Sequence, residues 1–399
     1  MRTLNMAILC LFVVVLFTSR NLMGQSSRIE GQVSGWISVT DSEPPRTQMG
    51  IRYIPNLYVS QTIGHKYSLN AEFSADVYGT GLMQTLDHVD FDGKTKPYRL
   101  WFRFSGTQFE ARLGLQKINF GSASLLRPLM WFDRIDARDP LQLTDGVYGA
   151  LFRYYFLNNA NIWLWGLYGN DETKGWEIVP SDDETLEYGG RFQYPLWTGE
   201  IAATYHHRKM DLEKGLNDFL SSVSVPVSNE MLSLIDLSDI DAPENRFGVD
   251  GKWDMEIGFW LEAVLIHHDI DLFPELKYRR FVNVGGDYTF GLGNGLHALG
   301  EHLILEISEE PFGSGERFQF SALSLNYPVG LVDNVTGVLY YDWENESWYR
   351  FVNWQRTYDT WRFYLMAFWN PEQFQIYQGQ EQIHTLAGKG IQVMAVYNH

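Results

Sequence analysis

The sequence predicts an all-β chain, a transmembrane antiparallel up-and-down β-barrel of about 18 strands (roughly 16–18) with an inserted third external loop. Three observations predict it. The chain opens on a short apolar run of export type. Apolar and polar residues alternate through most of the rest. The connections between alternating stretches are short and long in turn.

Arg2 precedes an apolar run from Ala7 to Phe17, and Thr18, Ser19, Arg20 and Gly24 follow it. The run is too short to cross a bilayer as a helix, which takes about 20 residues. A basic start, a brief apolar core and a small-residue end read as a secretory signal peptide. Residues 1–24 are therefore expected to be cleaved and residues 25–399 to form a single-domain barrel. Cys10 lies inside the apolar run, not at its end, so it is a poor site for lipid attachment.

Cys10 is the only cysteine, which excludes disulfides, thiolate metal sites and a cysteine nucleophile from the mature chain. No later stretch approaches the length of an apolar helical span. The formal net charge is −18, and −20 once Arg2 and Arg20 leave with the leader. That balance argues against nucleic acid, whose binding rests on neutralising phosphates. The 14 Trp, 22 Tyr and 25 Phe suit the aromatic girdles of a membrane barrel, but a secreted carbohydrate-binding β-protein would share them.

Alternation decides between the two. Tyr98, Leu100, Phe102 and Phe104 fall on one face of a strand, and Arg99, Trp101 and Arg103 on the other. A turn at Ser105–Thr107 leads to Phe109, Ala111, Leu113 and Leu115, which alternate with Glu110, Arg112 and Gln116. This is a tight hairpin with one apolar and one polar face. The same pattern runs through Leu186–Tyr194, Arg246–Trp253 and Trp361–Leu365. Strands are expected to begin near residues 30, 49, 67, 98, 108, 146, 161, 187, 199, 246, 257, 279, 296, 316, 332, 347, 359 and 388.

Short connections fall at Gly64–Lys66, Ser105–Thr107, Asn158–Ala160, Pro195–Thr198, Asp254–Glu256 and Gly291–Gly295. Long ones fall at Gly79–Pro97, Lys117–Asp145, Asn170–Thr185, Lys209–Asn245 and Trp369–Ala387. Short periplasmic turns and long external loops mark outer-membrane barrels. A soluble sandwich has no reason to sort its loops by parity, and no propeller-like repeat is visible. Closing the sheet in lipid covers the apolar faces and pairs every backbone group.

The third long connection is rich in Trp, Phe, Leu and Met, which suits a packed loop. Its charges alternate: Asp133, Arg134, Asp136, Arg138, Asp139. Gly114-x-Gln116-x-Ile118-x-Phe120-Gly121, followed by this Asp/Arg/Pro-rich insert, resembles bacterial porin-like barrels of the alginate-export type and their uncharacterised relatives. The local likeness covers about a tenth of the chain and the hairpin layout nearly all of it. The resemblance implies a monomeric channel of about 18 strands for polar or charged solutes. One departure is the C-terminus, Val396-Tyr397-Asn398-His399, which lacks the terminal Phe common in such barrels.

With apolar faces toward lipid, Arg99, Arg103, Arg112, Arg153, Arg191 and Arg208 point inward as a basic wall. Two outcomes follow for them. Either Asp133, Asp136 and Asp139 of the insert face Arg99, Arg103 and Arg112 across a constriction, or the arginines pair with wall acids such as Glu110 and Glu187 and brace the barrel. The pairs His206-His207 and His267-His268 lie on next-but-one strands about 10 Å apart and read as rim histidines, not a metal site. The loop Lys209–Asn245 is too apolar to hang free; it plugs the lumen, packs on another loop or meets a partner. Ser221 and Ser222 have no His and acid to complete a nucleophilic triad.

The sequence therefore points to an outer-membrane, non-enzymatic porin-like channel for small polar or charged solutes, with no cofactor or metal. Its partners are outer-membrane lipid, the outer-membrane assembly machinery, and small polar solutes or an oligosaccharide. Polysaccharide export and a non-conducting adhesive barrel are the alternatives.

Overall fold

The computed structural model describes residues 25–41, 46–85, 88–223, 240, 242–270, 276–371 and 386–399. The expected signal peptide, residues 1–24, lies outside the described residues. The strands of the first half are β1 (Gln25–Thr40), β2 (Arg46–Ile63), β3 (Tyr67–Thr85), β4 (His88–Ser105), β5 (Phe109–Gln116), β6 (Val147–Tyr155), β7 (Asn161–Leu167), β8 (Glu187–Leu196) and β9 (Gly199–Lys209). After helix α1 (Leu212–Val223) come β10 (Pro243–Asp254), β11 (Gly258–His268), β12 (Tyr278–Phe290), β13 (Leu296–Ser308) and β14 (Glu316–Pro328). The last four are β15 (Asp333–Asp342), β16 (Ser347–Thr357), β17 (Trp361–Trp369) and β18 (Lys389–Asn398).

Each strand pairs antiparallel with its sequence neighbours, and β1 pairs β18, so the 18-stranded sheet closes on itself. Val33 stands opposite Tyr397 and Trp36 opposite Met394 at the closing seam. Closure satisfies the backbone of the first and last strands, the requirement for a sheet in lipid. Tyr397 packs its ring against Trp361 at 4.9 Å.

The alternation sets the two faces. Leu113, Phe247, Val249, Phe363 and Leu365 are exposed on the outside, and Leu100 and Phe102 are half-buried on the same face. Their neighbours Trp101, Arg246 and Tyr364 are buried inside. Aromatic rings gather at the short-turn end, where Tyr67 stacks on Phe104 and Phe109 on Phe152. This is the interfacial girdle that amphipathic rings form.

One predicted loop is instead strand. Gly79–Pro97 was expected as a long connection, but β3 and β4 run through it to Thr85 and from His88, with Gly79 directly opposite Gly93. Its Gly and Asp residues look like turn signals, yet they sit in a two-stranded ladder whose backbone pairing continues regardless of side chain. Beyond Leu100, β4 has no partner in β5, because pairing between them covers only Leu100–Ser105. The wall therefore steps down from β4 to the much shorter β5, β6 and β7.

Helix α1 follows β9. Asp211 caps it by accepting the Lys214 N–H at 2.9 Å. The helix rests on the connection between β7 and β8, through Lys214 to Asp171 at 2.8 Å and Gly215 against Val179. Residues 224–239 and 241 of that connection lie outside the described residues, as do 372–385 of the last one.

Candidate functional site

The segment between β5 and β6, residues 117–146, lies inside the barrel. It touches β4 on one side, where Arg99 donates to the Thr144 carbonyl at 2.9 Å, and β11 and β13 across the ring. In a closed barrel one segment can reach all three only through the lumen. Ile118, Leu126, Leu129, Met130, Trp131 and Phe132 of this segment are buried at its centre. They pack on inward side chains of the wall, including Trp165, Val264, Phe281 and Leu303.

An irregular segment in a dry interior must find partners for its N–H groups. Two wall carboxylates supply them. Glu262 of β11 accepts from Ser122 at 2.5 Å, Ala123 at 2.7 Å and Leu129 at 3.4 Å. Glu301 of β13 accepts from Ser124, Leu125 and Leu126 at 2.6, 3.1 and 2.6 Å. Asn283 of β12 donates to the Leu126 carbonyl between them. Gly121 makes the approach possible: its φ is +94°, and a Cβ there would sit 2.6 Å from the Glu262 carboxylate. Sequence reading missed both glutamates. The available signal was a lone acid at an inward position of an otherwise apolar strand.

The connection between β7 and β8 also folds inward. Trp176 donates to the Arg127 carbonyl at 2.7 Å, fastening it to the first insert. A charge cluster holds it to the wall. Lys174 meets Glu187 at 2.9 Å, and Glu177 meets Arg246 at 2.6 Å and Arg208 at 3.4 Å. Glu244 receives Arg208 at 2.6 Å and His268 at 2.7 Å. Arg279 donates to the Trp176 carbonyl at 3.0 Å. His206 accepts from the Trp165 indole at 3.2 Å and lies 3.2 Å from Glu187. His206 and His268 thus belong to a buried network, not to the rim.

The six predicted arginines all face inward; Arg99 donates to backbone carbonyls, and the other five each meet at least one wall acid. Arg103, Arg112 and Arg153 converge on Glu110 at 3.7, 3.6 and 3.1 Å. Arg191 grips Asp250 through two bonds of 2.6 and 2.8 Å, and Arg208 belongs to the cluster above. The three aspartates expected opposite Arg99, Arg103 and Arg112 are held elsewhere. Asp133 pairs with Arg127 at 2.6 Å, and Asp136 pairs with Arg138 at 2.6 Å. Asp139 accepts the N–H groups of Leu141 at 2.9 Å and Leu143 at 3.1 Å. The physical reason is distance along the chain: a loop folding into a low-dielectric interior pairs its own charges first, since neighbours need no further ordering.

A cavity of about 410 Å³ lies between residues 134–145 and the inner faces of β1–β4 and β16–β18. Arg134, Arg138 and Asp139 line it, and Arg99, Arg103, Arg112, Arg153, Arg191 and Arg208 do not. Its wall charges are Arg52 with Asp76 at 3.1 Å and Lys96 with Asp145 at 2.8 Å. Arg134 donates to the Thr173 hydroxyl at 2.6 Å. Phe351, Met366, Leu386 and Met394 line the cavity too, on the adjoining stretch of wall from β16 to β18. Burial pushes the Asp139 carboxyl above its usual range, against the opposing pull of the Leu141 and Leu143 N–H groups.

No protein-family profile matches the chain. No curated protein sequence matches it either. Solved structures do share its fold. OccAB1 of Acinetobacter baumannii superposes with a TM-score of 0.54 at 8% identity, over 94% of this chain and 96% of that one. OccAB3 of the same organism gives 0.53 at 9% identity, over 94% and 99%. OmpT, an outer membrane protein of Vibrio cholerae, gives 0.50 at 11% identity, over 94% and 100%. The chain has the fold of the porin-like outer-membrane β-barrels.

Proposed function

We propose that this chain is an outer-membrane channel through which small polar or charged solutes diffuse, made with residues 1–24 as a cleaved export signal. The observation that carries the reading is a closed barrel in which residues 117–146 pack on three of its strands beside a cavity lined by charges. The apolar outer belt fits lipid, and the fold fits that location. Residues 117–146 act as the constricting third external loop. Arg134, Arg138 and Asp139, with Arg52, Asp76, Lys96 and Asp145, set the field a solute meets. Charges of opposite sign in a narrow, poorly screened gap orient dipolar solutes. Arg99, Arg103, Arg112, Arg153, Arg191 and Arg208, with Asp133 and Asp136, brace the wall and the insert.

An opening of about 410 Å³ suits a small solute. It gives no support to export of a polysaccharide strand, the activity of the alginate-export barrels that Gly114–Gly121 resembles. A purely adhesive barrel has no need of a charged lumenal gap. The test is planar-bilayer recording of the purified, heat-modifiable barrel. Stepwise conductance is expected, with larger steps when part of residues 122–132 is deleted. A folded barrel that never conducts, with or without the deletion, removes this reading.

A further inference from the structure

We propose that the opening selects zwitterionic solutes with an apolar side group, of the aromatic or branched amino-acid type. The proposal rests on the channel reading above and specifies its substrate class.

The first ground is charge balance. The cavity is lined by four cations, Arg52, Lys96, Arg134 and Arg138, and four anions, Asp76, Asp92, Asp139 and Asp145. They alternate in space: Arg52 sits on Asp76, Lys96 on Asp145, and the Asp139 carboxylate lies in the field of Arg52. A solute of one sign meets as many repelling as attracting groups. A solute carrying both signs can exchange with the wall pairs. Its carboxylate takes Arg52 or Lys96, its ammonium takes the released Asp76 or Asp145, and no buried charge is left alone. That exchange is close to neutral in energy, which passage requires: binding strong enough to enter and weak enough to leave.

The second ground is the apolar part of the lining. Phe351, Met366, Leu386 and Met394 line the cavity beside the ion pairs, where β16–β18 continue the wall from β1, and Pro140 and Leu141 of the insert line it as well. Methionine side chains adapt to varied apolar shapes. A sugar would bring hydroxyls to this surface and lose their hydration without replacement. An apolar side group would gain there by leaving water.

The test is swelling of proteoliposomes holding the purified barrel, in isosmotic phenylalanine, leucine, glycine or glucose, with potassium chloride conductance measured on the same preparation. Phenylalanine and leucine are expected to enter several-fold faster than glucose, although their size is similar. Phe351→Ser with Met366→Gln is expected to lower the phenylalanine-to-glycine rate ratio several-fold. Heat-modifiable migration in SDS confirms that the variant has folded. Should it fail to fold, the wild-type rate order alone decides. Conductance with glucose entering as fast as phenylalanine overturns the zwitterion assignment and leaves the channel standing. Absence of conductance overturns the channel reading and the assignment with it.

Discussion

The two sides of the lumen handle charge in opposite ways. Against β8–β12, Arg208 and Glu244 have no exposed side-chain surface, and acids and bases interlock with the β7–β8 insert. Against β1–β4, the ion pairs stay partly open: Arg52 is 26% exposed and Lys96 21%. The closed side uses charge to fix an irregular segment in a dry interior, where every unpaired group would be costly. The open side keeps part of its charge exposed.

The sharpest way to break this contrast is to remove one partner from each side. Arg208→Ala removes one of the cations that Glu177 and Glu244 share, leaves the buried cluster with one uncompensated negative charge, and is expected to cost about 3–5 kcal/mol in denaturant unfolding of the barrel. Lys96→Ala on the open side is expected to cost less than about 1 kcal/mol, since its pair with Asp145 is partly exposed. Equal costs would mean that the two sides are packed alike.

The outer face offers a control, because lipid surrounds both sides equally. Val249→Arg on β10 and Val393→Arg on β18 both replace exposed apolar residues. Each is expected to cost about 2–4 kcal/mol near the membrane midplane. A large difference between them would place one of these positions outside the apolar belt.

The pins of the first insert come next in size. Glu301→Ala leaves the N–H groups of Ser124, Leu125 and Leu126 without their acceptor and is expected to cost about 1–3 kcal/mol. The insert should loosen, so open-channel current noise should rise. Quiet currents in a folded Glu301→Ala barrel would mean that the apolar packing of Leu126, Leu129 and Trp131 holds the insert unaided.

The smallest expected effect concerns pH. The Asp139 carboxyl is held above the ordinary aspartate range, so as pH falls from neutral it takes up a proton before an ordinary aspartate would. The opening then loses a negative charge, and the reversal potential in a salt gradient should move towards anion preference. Asp139→Asn should show the shifted potential already at neutral pH. A wild type whose selectivity stays flat through mildly acidic pH would place Asp139 outside the ion path.

Much of the barrel was legible in the sequence. Alternation located most of the strands within a few residues, because a strand with lipid on one side and an interior on the other must alternate. It failed at β3 and β4, where Gly79 and Gly93 look like turn residues but lie in a paired ladder. The insert was legible from its apolar content and its place in the chain. Its contacts were not. That Glu262 and Glu301 hold its backbone depends on which strands face each other across the lumen, and no local pattern encodes that. The inward direction of Arg103, Arg112 and Arg153 was readable, and so was Glu110 as an acid they could brace against; that all three converge on it was not.

Single-cysteine blocking during bilayer recording tests most directly where the passage runs, since the chain's only cysteine is Cys10 in the expected leader. Gln392→Cys and Met394→Cys place a thiol beside the open side, and Arg153→Cys and Arg191→Cys place one in the arginine wall. A charged thiol reagent is expected to cut the current at Gln392→Cys and Met394→Cys and to leave it unchanged at Arg153→Cys and Arg191→Cys. Block at the arginine positions with no effect at residues 392 and 394 would put the passage along the arginine wall and contradict the division of the lumen described here.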